Sequence, residues 1–152
     1  MKTAKQWFEE YSESHQNKAN QRIHFICVPL IYFSIIGLLY SIPNKILLEL
    51  LELKILFIEN WAFIITLFVM LFYLRLNLKI YLRMFVFNAL CILFCMLLSQ
   101  FTSVFYISLT IFIIAWIGQF YGHKLEGKKP SFVKDLQFLL IGPAWVFQKI
   151  FK

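Results

Sequence analysis

This chain of 152 residues has three histidines, and they sit in two short polar islands: HQNKANQRIH at 15–24 and GQFYGHKLEGKKP at 118–130. Imidazole and carboxylate ligands that leave coordination positions open suit a non-haem ferrous ion, Fe(II), which binds oxygen and a chelating substrate together; zinc competes for the same ligands. His15, His24 and His123 are therefore candidate metal ligands. A helix turns about 100° per residue, so His15 and His24, nine positions apart, would face opposite ways on one continuous helix. Both can reach one centre only if the chain bends between His15 and Asn20, where Asn17-Lys18 favours a turn. Asn20 and His24 share a face as i and i+4. Gln119, His123 and Glu126, at i, i+4 and i+7, line one face of a second helix. Gly127 suits the end of that helix, and Pro130 stops it.

Each of these residues also has a plainer use. An interfacial histidine is commonly just a hydrated side chain. Glu126 can pair with Lys128 or Lys129, Asp135 can favour a helix start near Ser131, and Asn17 and Asn20 can form turns. The lysine pair can be a solvated anchor or a collar for an acidic head group. Trp7, Trp61, Trp116 and Trp145 read as interface or packing residues.

The elements that must position these residues are greasy. The chain is 61% hydrophobic and 15% charged, where soluble domains run near half apolar and a quarter charged. The expected fold is an all-α integral membrane protein, 1–152 forming a single multi-pass domain. A spanning helix needs about 20 apolar residues, and four windows qualify: Ile23–Ser41, 61–74 (with a start possible near Ile55), Ile80–Leu98 and Val104–Tyr121. Residues 99–101 read as a three-residue hairpin link. Residues 42–60 carry Leu47, Leu48, Leu51, Ile55 and Ile58 at helical spacing, which predicts an interfacial helix. Residues 136–152 are broken by Gly142-Pro143 and predict a re-entrant or interfacial segment. The first apolar run lacks a small-residue cleavage site and reads as a retained span.

Eleven cations (Lys2, Lys5, Lys18, Arg22, Arg75, Lys79, Arg83, Lys124, Lys128, Lys129 and Lys134) fall on one side of a four-span arrangement, against Lys45 and Lys54 on the other. The positive-inside rule puts the larger group in the cytoplasm. Both polar islands then share that face, although a hundred residues separate them. The net charge of +7 is read as attraction to lipid head groups, with no nucleic acid as partner. Cys27, Cys91 and Cys95 lie in apolar stretches and read as small hydrophobes, without a disulfide framework. The spans carry almost no charge at mid-depth, which disfavours a transporter.

The two islands together form a pattern: Tyr11, His15, Asn17, Asn20, His24 and Pro29, then WIGQFYGH, EGKKPSF, an Asp-Leu pair and LLIGP up to Pro143. In that order they resemble the 2-hydroxy fatty acid dioxygenase family of fatty acid α-oxidation, a former domain of unknown function typified by the fungal enzyme of phytosphingosine breakdown. The resemblance implies an Fe(II)-dependent membrane enzyme that uses O2 to cleave the C1–C2 bond of a 2-hydroxy fatty acid, yielding an acid one carbon shorter. It implies His15, His24 and His123 as metal ligands. Asn20, Glu126, Lys128 and Lys129 are the catalytic candidates, the lysines steering the carboxylate. In some members the acidic residue follows the last histidine by four positions, where Glu126 follows by three; both spacings keep one helical face. A zinc-dependent membrane hydrolase acting on lipid and a non-catalytic lipid-binding protein are the alternatives. The expected location is a bacterial inner membrane with the site facing the cytoplasm, or else the endoplasmic reticulum membrane.

Overall fold

The computed structural model describes residues 2–52, 55, 57–127 and 132–151, the side chains of 132–137 excepted. The described residues form helices and connections, with no strand among them. The helices are α1 (Ala4–Glu13), α2 (Lys18–Tyr40), α3 (Lys45–Leu51), α4 (Trp61–Leu76), α5 (Leu78–Leu98), α6 (Val104–Glu126) and α7 (Phe132–Ile150). Helices α2, α5 and α6 are long and apolar enough to cross a membrane; α4, at 16 residues, is shorter. All four coincide with the apolar windows of the sequence. Large apolar side chains such as Phe68, Val86, Phe94 and Ile114 stand exposed on their surfaces, as a lipid solvent permits.

Chain contacts divide the protein into two compact units, one of Met1–Tyr32 with Phe112–Lys152, the other of Phe33–Ile111. In the second unit α4 packs on α5. Asn77 alone joins them, in an extended conformation, ending one helix and beginning the next; its side chain accepts from Lys79 N at 2.8 Å. Tyr73, Met84, Ile92 and Cys95 are buried there. The three cysteines are free thiols, and Cys91 and Cys95 are buried like any small hydrophobe.

Four expectations need correction. Of the interfacial helix over 42–60, the described residues show only the seven of α3, followed by Glu52 in a left-handed conformation, φ 50°. The approach to α4 is tied down by polar bonds: Asn44 Nδ2 donates to the Glu59 carbonyl at 2.7 Å, and Trp61 Nε1 donates to that of Pro43 at 3.0 Å. Asn60 then caps α4 by accepting from Phe63 N, so that span starts at Trp61 and not near Ile55. The link after α5 is the five residues 99–103, not three.

The fourth correction is that α7 runs unbroken through Gly142-Pro143. Proline costs one intrahelical bond, but here packing outweighs that loss: Ile141, Pro143, Ala144, Trp145 and Val146 are all buried. Gly142 is needed for closeness, since a Cβ there would lie 3.1 Å from Val28 Cγ1 and 3.2 Å from Tyr11 Oη. The apolar part of α7, Phe138–Ile150, is nonetheless too short to cross a bilayer.

In the first unit, α1 packs on α7, and α2 meets α6 across two small residues. A Cβ on Gly118 would lie 2.6 Å from Cys27 Sγ, and one on Gly122 would lie 2.4 Å from Asn20 Oδ1. The pair forms a Gly-x-x-x-Gly stripe, which lets helix backbones approach in an apolar solvent. Gly118→Ala is expected to destabilise the protein by about 1–3 kcal/mol through overpacking, read as a lower unfolding midpoint in detergent. Adding Cys27→Ala should restore part of the loss; an additive double variant would show that the clash is elsewhere.

Candidate metal centre

The first imidazole is placed by a turn. Thr3 and Gln6 form a capping box that starts α1, and the helix stops at Glu13. Asn17 then caps α2, its Oδ1 accepting from Ala19 N at 2.8 Å and Asn20 N at 3.3 Å. His15 therefore lies in a turn between two helices, where the sequence called for a bend. Its ring stacks on Tyr11 with centroids 4.1 Å apart and planes 8° apart. The Nδ1–H of His15 donates to the Tyr11 carbonyl at 2.6 Å. A carbonyl only accepts, so Nδ1 bears the proton and Nε2 the lone pair.

Tyr11 also holds the second imidazole. Its hydroxyl lies 3.1 Å from His24 Nδ1. With Nδ1 donating, Nε2 of His24 carries the lone pair, and that atom is buried with no hydrogen-bond partner among the described residues. The third imidazole comes from α6, which approaches α2 over Gly118 and Gly122. Ring centroids are 4.1 Å apart for His15–His24, 5.1 Å for His24–His123 and 5.6 Å for His15–His123.

All three histidines are buried, and one ligand atom from each lies within 4.8 Å of the other two. Two nitrogens that share an ion at about 2.1 Å are at most about 4.2 Å apart, so a small side-chain adjustment brings all three to one cation. Neutral imidazole with a protonated, anchored Nδ1 is the usual form of a metal-bound histidine. The lone buried Nε2 of His24, which is costly without a partner, fits the same use. The three histidines can hold a metal ion.

The other candidates are placed differently. Glu126 is outside the ligand cluster and fastens the turn instead. Its carboxylate accepts from Gln16 N at 2.7 Å, Asn17 N at 3.0 Å and Asn20 Nδ2 at 2.9 Å. It sits where the N-terminus of α2 leaves amides unsatisfied and the helix dipole favours negative charge. Asn20 is buried between this carboxylate and Gly122, beside His24 and not within the cluster. Gly127, at φ +70°, ends α6 as expected. Lys128 and Lys129 lie outside the described residues, as does the side chain of Asp135.

A cavity of about 40 Å³ opens beside the histidines. Its polar lining residues are Tyr11, Gln119 and the three imidazoles. The rest of its lining is Val28, Ile31, Trp116, Phe138 and Leu139. Trp145, by contrast, is a buried packing residue, with Nε1 donating to Ser12 Oγ at 2.8 Å. The double role of Tyr11 and the presence of Trp116 in the cavity wall were missed in the sequence. Spacing was the available signal: Tyr11 precedes His15 by four residues, and Trp116 precedes His123 by seven.

Among known families, a family model described as 2-hydroxy-palmitic acid dioxygenase Mpo1-like matches residues 1–77 and 57–152, together the whole chain. No curated protein and no solved structure matches the chain.

The Glu126 latch is directly testable. Glu126→Ala is expected to leave the Gln16 and Asn17 amides without acceptors and to speed their hydrogen exchange at least tenfold. Such bonds to a charged group are worth about 1.5–3 kcal/mol each. Unchanged exchange at both amides would show that the carboxylate does not hold the turn.

Proposed function

The chain belongs to the Mpo1-like family, and we propose that it is an Fe(II)-dependent dioxygenase that shortens 2-hydroxy fatty acids by one carbon. One observation carries this reading: three buried imidazoles converge on a point beside an apolar wall, two of them anchored by Tyr11. Three neutral nitrogens leave open positions on a ferrous ion for a chelating hydroxy acid and for oxygen. Bound there, iron would supply the activation of oxygen and a Lewis acid for the hydroxyl and carboxylate.

The remaining work falls to the protein. Tyr11 sets the tautomer of His15 through its carbonyl and orients His24 through its hydroxyl. The cavity has room for about three water-sized groups, enough for a polar head and not for a long tail. Val28, Ile31 and Phe138 are buried and give the first carbons of the chain an apolar contact. Lys128 and Lys129, just after α6 in sequence, are proposed to steer the carboxylate, and Asn20 to support His24. The balance of cations supports a site on the cytoplasmic side of the membrane, in a bacterial inner membrane on this reading.

The reaction balances without an added reductant. The C1–C2 bond breaks, C2 becomes the new carboxyl carbon, C1 leaves as carbon dioxide, and water completes the products. All four electrons taken up by O2 come from the substrate.

Anaerobically purified protein is expected to retain iron and to take up one O2 per 2-hydroxy acid consumed, with no added reductant. Retained zinc with no oxygen uptake would favour a hydrolase instead. His24→Ala and His123→Ala should each lose iron to below about a tenth of wild-type content while inserting normally into membranes. Iron retained in both would refute the ligand assignment. Tyr11→Phe keeps the ring and removes the hydroxyl, and should weaken iron binding about 10–100-fold, the usual cost of losing the partner of a ligand histidine.

A further inference from the structure

We infer that Gln119, together with Trp116, recognises the head group of the substrate, and that Gln119 reads the 2-hydroxyl. The inference rests on the dioxygenase reading above and goes beyond it, to the group that selects a hydroxy acid over a plain one.

Gln119 is 5% exposed and lines the cavity beside His123, one helical turn away on α6. Its side-chain amide makes no hydrogen bond to the described residues. The amide is not sealed off by protein but opens to the cavity, where its oxygen and both N–H groups are available to a ligand. Trp116, three residues earlier, lines the same cavity. Its Nε1–H is buried and without a partner among the described residues, although a buried indole N–H normally finds one.

Chemistry identifies the matching ligand. The carboxamide offers one acceptor oxygen and two donor hydrogens, whereas the indole offers one donor and no acceptor. Together they fit a head group that presents an O–H beside carboxylate oxygens. A 2-hydroxy acid has both. A plain fatty acid lacks the O–H and would leave the Gln119 oxygen unpaired when bound. Neither side chain is charged, so discrimination would come from hydrogen-bond matching, where a buried group left unpaired by the wrong substrate is the effective penalty. Polar recognition thus lies on the α6 face at 116, 119 and 123, the last of these being the metal-side histidine.

The test compares a 2-hydroxy acid with the plain acid of equal chain length, each bound anaerobically to the iron-loaded full-length protein. In Gln119→Leu the preference for the hydroxy acid is expected to fall about tenfold with iron content unchanged. Trp116→Phe should instead weaken both acids alike and leave the preference intact. Gln119→Met, unbranched and close in size, serves if the leucine variant does not fold. An unaltered preference in a Gln119 variant that retains iron would overturn the inference while leaving the dioxygenase reading in place. Loss of iron from both Gln119 variants would overturn it too, since Gln119 would then be supporting the metal centre. A wild-type protein without iron or oxygen uptake would remove the dioxygenase reading, and this inference with it.

Discussion

The close approach of α2 and α6 governs the arrangement around the histidines. His24 and His123 lie on different helices, and their rings can meet only because Gly118 and Gly122 present no side chain at the crossing. An apolar solvent offers helices little hydrophobic reason to associate, so close packing and polar bonds must hold them together. Glu126 supplies such bonds at the end of the crossing, and it joins the turn carrying His15 to the helix carrying His123. One carboxylate thereby links segments more than a hundred residues apart in sequence.

The three imidazoles are an expensive arrangement in a protein otherwise so apolar. Each is desolvated, and each additional positive charge would repel the others. The contacts of His15 and His24 Nδ1 with the Tyr11 carbonyl and hydroxyl leave their Nε2 atoms facing the cluster. The cluster is thereby arranged to accept a cation. The apolar wall of the cavity continues this logic. Val28, Ile31 and Phe138 present buried apolar surface to the same cavity.

Much of this was legible in the sequence. The apolar windows matched α2, α4, α5 and α6, because length and hydropathy are decisive where lipid is the solvent. The face shared by Gln119, His123 and Glu126 followed from helical spacing, and the bend before Asn20 followed from the turn preference of asparagine. Other features depended on contacts that no local pattern encodes. The continuity of α7 through Pro143 is a packing outcome, reflected in the burial of Ile141 and of residues 143–146. The segment leading into α4 is held by bonds from Asn44 and Trp61 to distant carbonyls. Glu126 lay on the expected face, but its partners are backbone amides of the other island, and these carry no side-chain signature.

The junction at Asn77 has a consequence for how the chain can vary. Two helices joined by a single extended residue leave no slack. Inserting one residue near the end of α4 would swing every later side chain of α5 by about 100° and advance it by about 1.5 Å, with no loop to absorb the change. Length is therefore as constrained as identity there, and the two helices behave as one inherited piece that tolerates substitution far more readily than insertion or deletion.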